Sequence, residues 1–488
     1  MLTHSSGSHL IQQVKNQLLQ LDTRSVFEHC MRYLNAAPAN GYDWYAKRPF
    51  LYFLILKWAA QSFKKNESRR KASGHEVDLI IRDVFDATAP LVEPNGNMYV
   101  FMRRMAFQQF WYQRPFSGAT LGRQALIFGD IMRDTNCVAQ FEMDVGVSTT
   151  DFVTHLAHMA ADAGVLLGME HLIRLRPKEF SRLPEQWTRV TACFKTTLEG
   201  LHERLAPAIE YNTPPELELC EQSPLIKTPF IRSRNGKYEL LHYTALLQAI
   251  DSSIYDLMRS KGAEIFMREF GGAFEEYVGR LLRELNCEIV TERILKKRLL
   301  GRGKCVDFTL VFDDALVLID AKGIEGHYDE LYHHLPSVIT KKLKTTALHA
   351  VDQAIETVRR LPSDLIRPKY YFICATYKQM NLGHGDALRD LTKGTKEWEN
   401  DRWGEPTLPT GHIFVTSIEE LELLITTVRT TGSSLPDTLG TIVSRNTDAS
   451  TSNFLLEMAL GFPAQQLAWP VIVADSASRL CGISPYQL

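Results

Sequence analysis

The strongest constraint on the fold of this chain comes from the segment 306–323. Two apolar, β-rich runs, 306–312 and 315–323, flank the dipeptide Asp313-Asp314, a pattern that predicts a β-hairpin. If the turn is centred between these two aspartates, Asp307 on the first strand lies directly opposite Asp320 on the second. Both strands are apolar on both faces, as in the interior of a sheet that is covered on each side. The hairpin is therefore predicted to be buried.

The polar residues of this hairpin do not fit a sheet that serves stability alone. Like charges directly opposite each other across two strands are destabilising, yet Asp307 and Asp320 are predicted to face each other. Lys322 follows Asp320 by two residues, so the two side chains leave the same face of the strand. Two carboxylates and one ammonium group thus converge, which favours a site for a divalent cation.

This constellation resembles the PD-(D/E)XK (restriction-endonuclease-like) nuclease superfamily. Asp307 matches the lone aspartate and Asp320-Ala321-Lys322 matches the (D/E)XK tripeptide, while Val306 replaces the usual proline. The resemblance implies that Asp307 and Asp320 bind Mg²⁺, for which Mn²⁺ can substitute, with the backbone carbonyl of Ala321 as a third oxygen. It also implies that Lys322 orients the attacking water or stabilises the transition state.

Two flanking helices carry further candidates that the resemblance implies. In 270–285 the apolar spacing is helical, and Glu275 borders the buried stripe, so it is the expected acid that contacts or orients the metal; Glu276 is the fallback. A second apolar stripe, in 341–360, predicts one continuous helix on which Gln353 is the expected polar residue near the metal. The alternatives are an ordinary helix with exposed glutamates and a surface glutamine.

The elements that follow complete the predicted core. Runs 369–376 and 412–416 are typical of strands, and Ser417 with Glu420 forms a capping-box pattern at the start of a helix. The order of elements predicts an α/β fold: a C-terminal α/β/α restriction-endonuclease-like core with a mixed central sheet, covering 243–430.

The rest of the chain has a different character. Residues 1–220 show helical periodicity without a nucleotide loop, zinc pattern or repeat, and predict a helical recognition or assembly domain. Residues 221–242 predict a linker and a β-hairpin with a primed turn at Asn235-Gly236. Residues 431–488 predict a polar linker and a C-terminal tail.

Positive charge is local in this chain. The net charge is −2 and the isoelectric point is about 6.7, so no global field attracts nucleic acid. Between positions 293 and 304, however, six basic residues occur without an acidic one. Basic side chains contact backbone phosphates without reading sequence. The expected nucleic-acid-binding residues are Lys296, Lys297, Arg298, Arg302, Lys304, Lys341 and Lys342. Ordinary solvated charge is the alternative for either patch.

Cysteine usage and hydropathy indicate the compartment. The eight cysteines are scattered and include no CxxC pair, which favours free thiols in a reducing environment. The most apolar run, 50–60, is too short to span a bilayer. A cytoplasmic protein that does not associate with membranes is expected.

These observations together predict a Mg²⁺-dependent endonuclease that hydrolyses phosphodiester bonds, with DNA as the expected substrate. The layout resembles restriction and anti-phage defence effectors. Two alternatives stay open: a catalytically silent nucleic-acid-binding scaffold on the same fold, and an RNA- or structure-directed repair nuclease. The N-terminal domain is expected to bind a protein partner or trigger, and a homodimer would supply two active sites for double-strand cutting.

Overall fold

The computed structural model describes most of the 488 residues. All statements below concern this part of the chain, which comprises 4–36, 48–65, 68–91, 98–113, 116–177, 184–210, 218, 223–299, 303–323, 335–393, 408–448, 451–452, 456, 460 and 469–482.

Helices dominate the architecture. In chain order they are α1 (His4–Gln20), α2 (Thr23–Asn35), α3 (Pro49–Gln61), α4 (Gly74–Leu91), α5 (Met98–Gln113), α6 (Ala119–Leu126), α7 (Asn136–Val145), α8 (Thr149–Leu167), α9 (Glu170–Ile173), α10 (Pro184–Ala192), α11 (Leu198–Glu210), α12 (Tyr243–Lys261), α13 (Ala263–Leu282), α14 (Glu292–Arg298), α15 (Pro336–Leu343), α16 (Ala347–Arg359), α17 (Gly385–Thr392), α18 (Ile418–Thr431), α19 (Leu435–Asn446) and α20 (Val471–Cys481). None of these described helices is long and apolar enough to cross a membrane.

Nine described strands form two mixed sheets. They are β1 (Lys195–Thr196), β2 (Phe230–Arg232), β3 (Tyr238–Leu240), β4 (Glu288–Thr291), β5 (Phe308–Val311), β6 (Ala315–Lys322), β7 (Lys369–Thr376), β8 (Gly383–His384) and β9 (Ile413–Ser417). The larger sheet has the order β4-β5-β6-β7-β9-β8; β6, β7 and β9 are parallel and the other pairs are antiparallel. A mixed α/β fold was predicted, and the structure has one.

The register of the central hairpin agrees with the prediction. Phe308 pairs with Ile319 in the β5–β6 ladder, so the next pair towards the end of the hairpin is Asp307 opposite Asp320. Strand β6 is buried from Ala315 to Asp320, because helices cover both of its faces. The hairpin is thus an interior element, and its polar end is the only part of β6 that is partly exposed.

The two faces of β6 belong to different apolar clusters. Val317 and Ile319 pack with the aromatic side chains of α13, whereas Leu316 and Leu318 pack with the inward side chains of α16. Residues of a strand alternate between faces, so Asp320 and Lys322 project towards α16. Gly323 follows them and is closely packed: a Cβ at this position would lie 3.1 Å from both Phe270 and Phe274.

Helix α16 begins later than the apolar stripe indicated. The predicted continuous helix over 341–360 is instead two helices, α15 and α16, with a break at Lys344–Thr346. The Thr345 hydroxyl donates to the carbonyl of Lys342 and the Thr346 hydroxyl to that of Leu343. Such local bonds compete with helix continuation. Lys341 and Lys342 therefore lie in the last turn of α15 rather than at the start of α16.

Two other local predictions need correction. The β2–β3 hairpin exists, but five residues, 233–237, connect its strands, and of Asn235 and Gly236 only Gly236 has a positive φ, of 78°, so the turn is not the predicted primed turn. The Asn235 side chain accepts from the Lys237 N–H and the Ser233 hydroxyl, which stabilises this alternative. The predicted polar linker after residue 430 contains α19, whose Leu439 is fully buried.

Other expectations are confirmed. Ser417 and Glu420 form a reciprocal capping box at the start of α18, and β7 spans the predicted strand. All seven cysteines in the described residues are free thiols.

Apolar packing crosses the predicted boundary at residue 220. Helices α1 to α4 share a core with α11, but α6 to α8 pack in the same cluster as α12, α13 and the sheet. A buried ion pair joins the two regions: the Arg123 guanidinium on α6 lies 2.8 Å from Glu422 on α18, and both side chains are at most 5% exposed. The Tyr277 hydroxyl donates to the other carboxylate oxygen of Glu422 at 2.5 Å.

We expect Arg123→Ala to lower the free energy of unfolding by about 3–5 kcal/mol, because it leaves the buried carboxylate of Glu422 without its cation. Arg280→Ala is the matched control. Its guanidinium pairs with Glu276 and Asp130 on the surface, where a pair contributes at most about 1 kcal/mol. Urea denaturation of both variants measures the difference, and equal losses would show that the buried pair is not the link between the regions.

Candidate active site

The predicted acids and lysine meet at the end of the β5–β6 hairpin. Asp320 is fully buried, and its carboxylate lies 2.5 Å from the Lys322 ammonium group. Asp307 is held from the other strand, because the Ala321 backbone N–H donates to its Oδ2 at 2.8 Å. The two carboxylates and the ammonium thus converge on one face, as the sequence predicted.

The Asp320 carboxylate lacks the hydrogen bonds that buried carboxylates usually have. Among the described residues, neither of its oxygens has a partner with hydrogen-bond geometry. The ion pair with Lys322 offsets part of the cost of burying its charge. A buried ionised group is costly unless it is paired and hydrogen-bonded or coordinates a metal. The unfilled acceptor capacity of Asp320 therefore fits a cation.

The pKa of Asp307 reflects the same crowding. Burial, followed by repulsion from Asp320, raises this pKa from 3.8 to about 8. Burial lowers the pKa of the Lys322 ammonium, but the pairing with Asp320 outweighs it and the pKa is raised. In the absence of a cation, the site thus retains a proton on Asp307 near neutral pH and keeps Lys322 charged.

The backbone of Ala321 adds an oxygen to this site. In an extended strand the N–H and C=O of one residue point to the same side, and the N–H of Ala321 points to Asp307. Its carbonyl therefore faces the same edge. Mg²⁺ is often held by one or two carboxylates and keeps several waters, so Asp307, Asp320 and this carbonyl fit such an ion.

Gln353 supports the lysine from α16. Its Oε1 accepts from the Lys322 ammonium at 3.1 Å, and its Nε2 donates to the carbonyl of Cys305 at 3.2 Å. The amide orientation is fixed by these two partners, since a flipped amide would face both with the wrong atoms. Gln353 therefore links Lys322 to the segment that precedes Asp307.

Glu275 lies on α13, in the layer on the other face of the sheet, and the charges of Asp320 and Lys322 affect its pKa. Burial raises its pKa, with further contributions from Glu292 and Asp320. Glu276 instead is exposed and pairs with Arg280 on the surface. Within the described residues, no group of three or more His, Cys, Asp or Glu side chains is arranged to hold a metal ion. Direct metal contact by Glu275 stays a prediction.

Glu292 is a neighbour of the site that the sequence did not indicate. It begins α14, its N–H donates to the carbonyl of Asp307 at 2.7 Å, and its charge raises the pKa of Glu275. Glu292 directly follows β4 and contacts Asp307, which directly precedes β5. This contact depends on the pairing of the two strands, so the spacing of residues along the chain did not indicate it. Its own carboxylate pairs with Lys296 at 2.6 Å.

The expected phosphate-binding residues are dispersed. Lys297, Lys304 and Lys341 are exposed, whereas Lys296 is paired with Glu292 and Arg298 with Asp364. Lys342 is partly buried on α15. Arg302 lies outside the described residues. Lys304 is the member of this set nearest in sequence to Asp307, and its ammonium lies 2.9 Å from Nε2 of His349 on α16.

Comparison with known proteins gives no assignment. No protein-family model matches the chain. No curated protein matches it in sequence.

The pKa of Asp307 predicts how stability depends on pH without metal. The folded value of about 8 exceeds the ordinary 3.8, so the proton bound only by the folded state contributes stability that is complete below pH 3.8 and is lost as pH rises through about 8. Asp307→Asn cannot ionise. We expect its melting temperature in EDTA to exceed that of the wild type by an amount that grows towards alkaline pH. Asp314→Asn, at the exposed turn, is the control, and a gain independent of pH would contradict this origin.

With Mn²⁺, the wild type is expected to melt at a higher temperature than Asp307→Asn, the reverse of their order in EDTA. A ligand that binds only the folded state stabilises it, by about 2.7 kcal/mol at a hundredfold excess over its dissociation constant. At alkaline pH, Mn²⁺ should raise the melting temperature of the wild type and leave that of Asp307→Asn nearly unchanged. An equal rise in both would place the ion elsewhere.

Proposed function

We propose that this protein is a metal-dependent nuclease that hydrolyses phosphodiester bonds, with DNA as its substrate. One observation carries the proposal: the fully buried carboxylate of Asp320, whose partner among the described residues is the Lys322 ammonium group, stands opposite Asp307 at the end of a covered hairpin. The strand order and the helices on both faces agree with a restriction-endonuclease-like core, and we include that assignment in the proposal.

The proposed role of each residue follows from the chemistry of its side chain or backbone. Asp307, Asp320 and the Ala321 carbonyl would hold Mg²⁺ or Mn²⁺. Such an ion, when bound, lowers the pKa of water and stabilises charge on a phosphoryl oxygen. Ionisation of Asp307 accompanies binding, because the proton that it retains near neutral pH must leave before its carboxylate can act as a ligand.

Lys322 supplies fixed positive charge. Asp320 and Gln353 hold its ammonium group from two directions, and its raised pKa keeps it protonated. An ammonium has three donors, so one remains for a substrate phosphate oxygen or for the attacking water. A preorganised donor of this kind stabilises the charge that develops on the phosphate in the transition state.

DNA is the proposed substrate, and defence against invading DNA the proposed role. Exposed Lys297, Lys304 and Lys341 provide positive charge in the elements that flank the hairpin, which suits contacts to backbone phosphates. RNA presents the same phosphate chemistry, so RNA cleavage is the second candidate. Association through the helical part of the chain, with a partner or a second copy, belongs to the same proposal.

The test is cleavage of supercoiled DNA, linear DNA, single-stranded DNA and RNA with Mg²⁺ or Mn²⁺, compared with EDTA. We expect metal-dependent cutting that Asp320→Asn and Lys322→Met each reduce by at least about 100-fold, the upper range for changes around a metal site. Thermal melts establish that the variants fold. Folded wild-type protein that cuts none of the four substrates and binds no Mn²⁺ would leave a silent scaffold as the function.

Glu275 and Glu276 provide a matched pair for the same assay. Glu275→Gln removes the acid whose pKa burial, Glu292 and Asp320 raise, and we expect activity to fall about 10- to 100-fold. Glu276→Gln makes the same chemical change one residue away, on the exposed side that pairs with Arg280. Equal activity in the two variants would remove Glu275 from the site.

A further inference from the structure

The segment before Asp307 is attached to α16 by a series of hydrogen bonds. Arg360 donates to the carbonyl of Lys304 at 2.9 Å, and Gln353 donates to the carbonyl of Cys305 at 3.2 Å. The next residue, Val306, donates its N–H to the Thr357 hydroxyl at 3.2 Å. Consecutive residues are thus fixed to one helix, and the backbone position of Lys304 relative to Asp307 is set.

The side chain of Lys304 is also held. Its ammonium lies 2.9 Å from Nε2 of His349. An ammonium can only donate, so Nε2 accepts and the ring proton of neutral His349 is on Nδ1. Burial, followed by the charges of Lys304 and Lys322, lowers the pKa of His349, which keeps this nitrogen available as an acceptor. Asp320 and Asp352 oppose the shift but do not reverse it.

This pair lies near the proposed active site, since the charges of Lys322 and Asp320 affect the pKa of His349. His349 precedes Gln353 by four residues, one helical turn, so both are on the face of α16 that meets Lys322. His349 is partly buried, whereas Lys304 is exposed. One donor of the ammonium is directed to His349 and the remaining donors are oriented by that bond. The cation is therefore presented to solvent while it is held at the face of α16 that carries Gln353.

We propose that Lys304 and His349 form a binding site for a backbone phosphate next to the one that is cleaved, with Lys304 as the contacting residue and His349 as the positioning residue. The inference rests on the proposed nuclease function and deepens it. The neutral imidazole adds no charge of its own. It restricts the motion of the Lys304 side chain before the phosphate binds, so that less conformational entropy is lost on binding. Positioning of this kind improves binding by lowering the entropic cost of holding a flexible side chain.

The test uses the full-length chain and a short fluorescein-labelled DNA duplex with Ca²⁺ in place of Mg²⁺, and measures affinity as a function of salt. Loss of one phosphate contact reduces the slope of log affinity against log salt by about 0.9. We expect this reduction in Lys304→Ala. Lys369→Ala removes the same charge at the opposite end of the sheet, beside Asp314, and should leave the slope unchanged.

His349 is tested by a double-mutant cycle. We expect His349→Ala to weaken binding about threefold to tenfold in the wild type and to have no further effect in Lys304→Ala, because its contribution passes through that lysine. His349→Gln retains an acceptor and should restore most of the affinity. The same loss in both backgrounds, or no loss in either, would overturn the pairing while leaving the nuclease proposal intact. Wild-type protein that binds no duplex at any salt concentration would overturn the proposed DNA substrate and the phosphate site with it.

Discussion

The burial of Asp320 opposite Asp307 is the constraint around which the sheet is organised. Two carboxylates on facing strands repel, and one of them is removed from water altogether. The surrounding groups offset this cost in different ways: Lys322 pairs with Asp320, the Ala321 N–H binds Asp307, and Asp307 retains a proton. Residues of both helical layers then fix the position of the hairpin. This arrangement lowers the stability of the folded state, because a buried charge is costly even when it is paired.

The hairpin and its register could be predicted from the sequence because both depend on local information. Alternation of apolar residues, a short polar turn and the period of two are sufficient to bring Asp307 opposite Asp320. Helical periodicity likewise identified the borders of the buried stripe on α13, and so distinguished Glu275 from Glu276. The capping box at Ser417 was equally local.

The remaining features depend on contacts between distant segments. Glu292 meets Asp307 only through pairing of β4 with β5, and His349 meets Lys304 only because α16 packs against the sheet. The ion pair between α6 and α18 is formed by Arg123 and Glu422, which lie 299 residues apart. The break between α15 and α16 arose from threonine hydroxyls competing with the helix, which apolar spacing does not reveal.

The attachment of residues 304 to 306 to α16 also limits how this chain can vary in length. An inserted or deleted residue within this segment would leave the β5–β6 register in place, because the turn at Asp313-Asp314 sets it, and would shift residues 304–306 by one position against α16. It would also misalign the bonds from Arg360, Gln353 and Thr357. Related chains that retain the site should therefore conserve the number of residues between Lys304 and Asp307 more strictly than their identities.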